Sequence, residues 1–112
     1  MLRIALAFLL VLPAAAAELR LSPRAERHVR EGHFAGGKRS FGKSLFAPGA
    51  DLAKLLKAAE NSKPRREKNG RDKRVTDAKA VVGTDGRSGK PVKTYVVIAE
   101  PGGEVVTMYP GR

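Results

Sequence analysis

The segment Arg27-His28-Val29-Arg30-Glu31-Gly32-His33 holds both histidines of the chain, five residues apart, and Lys43-Ser44 begins ten residues after His33. Two imidazoles beside an ammonium are the parts needed to cleave a phosphodiester without a metal. One group takes a proton, another returns one, and a fixed cation meets the charge that builds on the phosphoryl oxygens. Histidine suits both transfers because its reference pKa, about 6.5, lies near working pH. Spacing alone does not select this chemistry, because two histidines in 112 residues is ordinary usage and titratable clusters only suggest sites. Catalytic zinc needs three protein ligands, and two histidines with no cysteine and no carboxylate cluster beside them fall short. No metal or cofactor is expected. Ser40 and Ser44 stand near the histidines but lack the flanking motif of a nucleophile elbow.

The elements that must position these groups begin after a leader. Arg3, the apolar run Ile4 to Leu12, and Pro13 with Ala14 to Ala17 have the order of a secretory signal peptide with cleavage before Glu18. The run is too short to span a bilayer, which takes about 20 residues. Residues 18–112 are then expected to form a single exported domain without a membrane span, and a monomer. Without Arg3, 21 of the 22 basic residues remain against 11 acidic ones, a net +10. Such a charge fits nucleic acid, where neutralised phosphates release counterions, or an anionic envelope; charge alone does not separate the two. With no cysteine, core packing alone must hold the domain.

Ser22-Pro23 is a helix start, and Gly32 a natural left-handed stop, so the first helix is expected over 23–31 with Ala25 and Val29 inward. In a continuous helix, residues five apart leave the axis about 140° from one another. His28 and His33 therefore need a turn at Gly32 to converge. Residues 34–47 read as a Gly- and Ser-rich loop. Asp51 then caps a second helix over 51–60, whose Leu52, Leu55, Leu56 and Ala59 form one buried stripe. Residues 61–74, with seven basic side chains and both Pro64 and Gly70, read as a mobile loop. Three β-rich runs close the chain, Val75 to Gly83, Val92 to Ala99 and Glu104 to Tyr109, separated by turns at 84–91 and 100–103. The middle run is expected to be central, with Tyr95, Val97 and Ala99 on one face. In the last, Val105, Thr107 and Tyr109 should share a face. The fold class is α+β: two N-terminal helices on a C-terminal antiparallel meander of three to four strands.

Arg-His-Val at 27–29, the glycine-rich loop, Gly42-Lys43-Ser44-Leu45-Phe46, the leucine-rich helix, the basic stretch, Val82-Gly83-Thr84-Asp85 and the closing Val105-Val106-Thr107-Met108-Tyr109-Pro110 follow one another in an order that resembles a known group. It is that of the C-terminal ribonuclease domains of bacterial contact-dependent and polymorphic toxins, of the barnase–EndoU–colicin–RelE fold class. EndoU-like domains are the nearest, and an RNase A-like toxin family ends in a similar Thr-x-Tyr-Pro strand. The resemblance implies a catalytic role for His28, Lys43, Thr107 and Tyr109. Such families often carry their second histidine after the loop glycines, where this chain has Gly36-Gly37-Lys38. Either His33 fills that role from an earlier position or Lys38 stands in its place.

The expected reaction is attack of a ribose 2′-hydroxyl on the adjacent phosphorus, one histidine as base and the other as acid, leaving a 2′,3′-cyclic phosphate. Lys43 would neutralise phosphoryl charge, and Thr107 and Tyr109 would orient phosphate or base. Lys38, Arg39, Ser44 and Arg74 are the expected substrate-binding residues. RNA, with tRNA one candidate, is the expected partner, together with an acidic inhibitor protein if the domain is a toxin. The rival is a non-enzymatic basic module that binds nucleic acid or an anionic surface.

Overall fold

The computed structural model describes residues 18–112; the expected signal peptide, residues 1–17, lies outside them. The elements are α1 (Pro23–His33), β1 (Leu45–Phe46), α2 (Leu52–Ala59), β2 (Arg65–Arg66), β3 (Asp72–Asp77), β4 (Gly83–Thr84), β5 (Pro91–Val92), β6 (Thr94–Ala99) and β7 (Val105–Pro110). The protein is α+β, with two helices and two antiparallel sheets. One sheet runs β2-β3-β6-β7 and a smaller one runs β1-β4-β5. Among the described residues, no helix is long and apolar enough to cross a membrane.

Ser22 caps α1, its Oγ accepting the Ala25 N–H at 3.1 Å, and Pro23 sits in the first turn, where a missing N–H leaves nothing unpaired. The helix does not stop at Gly32. It runs to His33, because the following loop turns back and supplies the donors that the helix end lacks: the Arg39 N–H donates to the Glu31 carbonyl at 2.9 Å. Gly37 makes this return possible. A Cβ there would lie 2.6 Å from the Arg30 carbonyl oxygen, so the glycine that the helix end requires is Gly37 and not Gly32. Phe34 then leaves in extended conformation and packs on Phe46, ring centroids 5.6 Å apart.

Asp51 caps α2 by accepting the Lys54 N–H at 3.2 Å, and Leu52, Leu56 and Ala59 are buried as their spacing predicts. Strand β6 is central. Its Tyr95, Val97 and Ala99 join Val29 of α1 and the apolar stripe of α2 in one core.

Three expectations change. Residues 61–74 are not a mobile loop: β2 and β3 form a hairpin closed by Glu67 N–H to the Arg71 carbonyl at 2.7 Å, with Arg66 paired to Asp72 at 2.7 Å. The Val75–Gly83 run splits between the two sheets, because Asp77 accepts the Lys79 N–H at 2.8 Å and Lys79 adopts φ 68°, turning the chain away. The register of β7 slips between Ile98 and Ala99, so Ala99 opposes Val105 while Ile98 opposes Thr107. Val106 is the extra residue of this bulge. Val105 therefore faces the core with Met108, and Thr107 and Tyr109 lie on the opposite face, beside the buried Val96 and Ile98.

The Tyr95 hydroxyl donates to the Leu55 carbonyl at 2.7 Å and links the central strand to α2. Tyr95→Phe leaves that carbonyl without its partner and is expected to cost about 1–3 kcal/mol, read as a lower urea midpoint at unchanged m.

Candidate active site

Helix α1 packs along β7, and two candidates, His33 and Tyr109, meet where the C-terminal end of the helix lies against that strand. His33, the last residue of α1, holds its ring 5.6 Å from that of Tyr109 at a 34° tilt. Its Nδ1 lies 2.9 Å from the Ser44 carbonyl. A carbonyl only accepts, so Nδ1 carries the hydrogen and Nε2 keeps its lone pair. Burial pushes the His33 pKa below 6.5; the Ser44 carbonyl opposes this, and the charges of Lys43 and then His28 add to it. The imidazole is therefore held neutral, with one basic nitrogen unengaged by that bond.

The Lys43 ammonium lies against α1 beside Gly32. A Cβ built on Gly32 would stand 4.0 Å from the Lys43 Nζ. The backbone at Lys43–Ser44 is in turn braced from the β4–β5 turn. The Gly86 N–H donates to Ser44 Oγ at 2.8 Å, and a Cβ on Gly86 would lie 2.7 Å from both the Lys43 carbonyl carbon and the Ser44 nitrogen. Asp85 stiffens that turn by accepting from Ser88 N–H, Ser88 Oγ and Arg87 N–H, and the Ser88 N–H above all holds its carboxyl below the usual range.

On β7, burial pushes the Tyr109 phenol above its ordinary pKa, and the Glu67 carboxylate adds to this, so the hydroxyl remains a donor at neutral pH. Thr107 presents a buried Oγ1 with no hydrogen-bond partner among the described residues. Such a hydroxyl is costly unless something takes it up.

His28 does not converge with His33 through a turn at Gly32, since α1 is continuous there. The two rings leave the helix in different directions and interact through charge. His28 lines a separate groove with Arg24, Arg71, Glu104 and Val106. Two substrate-binding expectations change. Arg74 is 4 % exposed on the core face, paired in register with Val97, and its Nε donates to the Ser62 carbonyl at 3.2 Å. The guanidinium replaces a backbone donor there and is turned away from Tyr109. The Ser44 hydroxyl is engaged by Gly86 and its carbonyl by His33, so Ser44 positions other groups. Lys38 sits exposed on the returning loop, in the stretch that braces the helix end. Arg39 is exposed in the same loop.

Gly86 and Glu67 are contributors that residue spacing does not reveal. The Asp85-Gly86 pair signals a turn, but its approach to Lys43 depends on the second sheet. Glu67 reaches Tyr109 only through the β2–β3 hairpin. No known protein family, characterised protein or solved structure matches the chain.

Because His33 titrates lower when folded than when unfolded, the unfolded chain binds its proton first. The stability contributed by neutral His33 is complete above 6.5 and is lost as pH falls through that value toward the folded pKa. The melting temperature is thus expected to fall between about pH 7 and about pH 5, and His33→Asn to flatten that dependence. Gly86→Ala should destabilise by about 1–3 kcal/mol and move the His33 ring resonances. Gly49→Ala, where a Cβ meets nothing within 4 Å, should leave them in place.

Proposed function

We propose that this protein is an exported, metal-independent endoribonuclease that cuts RNA by 2′-hydroxyl attack and leaves a 2′,3′-cyclic phosphate. The observation that carries this reading is His33, fixed in one tautomer by Ser44 and held neutral between the Tyr109 ring and the Lys43 charge. Neutral imidazole with an available Nε2 is the form a general base requires. Lys43 offsets charge on the phosphoryl oxygens, and the half-buried Tyr109 hydroxyl donates to them, with Thr107 on the same face of β7.

His28 serves as the second proton carrier. In-line displacement sets the attacking and leaving oxygens on opposite sides of phosphorus. Base and acid therefore serve different atoms, so the two imidazoles need not converge on one of them. Two helices on a four-stranded antiparallel sheet, with the site at the closing strand, support the barnase–EndoU–colicin–RelE class that the sequence resembles. A net +10 suits both RNA and an acidic inhibitor protein as partners.

RNA incubated with the protein in EDTA is expected to acquire cyclic phosphate ends, while the 2′-deoxy strand, lacking the nucleophile, stays whole. His33→Ala, His28→Ala and Lys43→Ala should each lower kcat/KM by about 10²-fold or more. RNA binding without scission by the wild type would make the protein a non-enzymatic basic module instead.

A further inference from the structure

Phe34 and Phe46 pack together against the core, whereas Phe41 is 100 % exposed. Its ring is not carried on slack chain. Ser40 to Lys43 form a four-residue turn, closed by the Lys43 N–H to the Ser40 carbonyl at 3.1 Å, with Gly42 at φ 75° as a type II turn requires. The turn is braced on the helix side, where Ser40 Oγ donates to the Gly37 carbonyl at 2.9 Å. Phe41 therefore stands at the tip of a built turn, two residues from Lys43, whose ammonium lies beside Gly32 of α1. Two residues of chain reach at most about 7 Å, within the span of neighbouring nucleotides. Lys38, Arg39 and Lys43 surround the ring in sequence, and residues 34–44 contain no acidic side chain.

We propose that Phe41 is a stacking platform for the base next to the phosphate held at Lys43. The inference rests on the reading of that site as an RNA site, and it adds a subsite that grips an unpaired base. An aromatic face beside cations is the arrangement that binds single strands without sequence preference, since every base has a π-face. Insertion into an anionic membrane is less well served. Surface anchoring scales with buried apolar area, and Phe41 is flanked by Ser40 and Gly42 with no second apolar side chain at the tip. The substrate is therefore single-stranded or looped RNA rather than a continuous duplex.

The chain has no tryptophan, so Phe41→Trp puts a sole indole at the tip. Its fluorescence is expected to be quenched by a single-stranded 2′-O-methyl oligonucleotide, which binds but offers no 2′-hydroxyl, and not by inorganic polyphosphate, which has charge without bases. Phe41→Ala should weaken binding of that oligonucleotide by about 5- to 100-fold at an unchanged salt slope, whereas Lys43→Ala should lower the slope. Equal quenching by polyphosphate, an unchanged affinity in Phe41→Ala, or a response confined to phosphatidylglycerol vesicles would each overturn the proposal. Quenching by the oligonucleotide in a protein that never cuts natural RNA would support the stacking subsite while removing the nuclease reading. Cleavage by the wild type with an unaltered KM in Phe41→Ala would do the reverse.

Discussion

Across 2.9 Å the His33 Nδ1–H meets the Ser44 carbonyl, and that contact ties the end of α1 to the loop that carries Lys43. A neutral hydrogen bond adds only about 1 kcal/mol net to stability. Its larger effect is to decide which ring nitrogen holds the hydrogen. Everything that fixes the Ser44 carbonyl therefore bears on the chemistry available at Nε2. The Gly86 N–H holds Ser44 Oγ, Asp85 stiffens the turn that offers this N–H, and β4 pairs that turn with β1. The small second sheet, made of two-residue strands, matters because it is the frame behind one carbonyl oxygen.

The large sheet contributes the opposing wall, and a single inserted residue sets its phase. Strict alternation along β7 would put Val105 with Thr107 and Tyr109, exposing an apolar side chain or burying two hydroxyls in the core. The bulge at Val106 resolves this conflict. Val105 turns inward beside Ala99 and Met108, and Thr107 and Tyr109 keep the opposite face, where His33 comes down on Tyr109. A strand that is both core and active surface needs such a change of phase where one role gives way to the other.

What was legible in the chain follows from periodicity. The i, i+4, i+7 spacing of Leu52, Leu56 and Ala59 and the alternation of Tyr95, Val97 and Ala99 each name a face without reference to anything distant. Of the residues singled out for chemistry, the fold brings His33 against Tyr109 and within reach of the Lys43 charge. What was not legible depended on partners far along the chain. Gly32 reads as a helix stop, and the returning Arg39 N–H that lets α1 run past it belongs to a loop that local spacing does not reveal. Arg74 looked like a phosphate contact because its partner, the Ser62 carbonyl, is a backbone atom that composition never displays. The bulge is equally silent, since Val105 and Val106 are chemically interchangeable.

Charge ties the site to its proposed substrate. Lys43 and His28 both push the His33 pKa down, so cations of one sign repel across the junction. A folded protein that keeps them together loses stability through that repulsion. An anion among them reverses the sign of the field at His33. In the proposed reaction the phosphodiester thus does more than occupy the site. Its charge offsets that of Lys43 and His28, raises the proton affinity of Nε2, and strengthens the base as the 2′-hydroxyl arrives. Burial keeps the imidazole neutral beforehand, so its lone pair is available when the substrate binds. The same desolvation magnifies the effect of the incoming charge, and a surface histidine among the same lysines would gain much less from it.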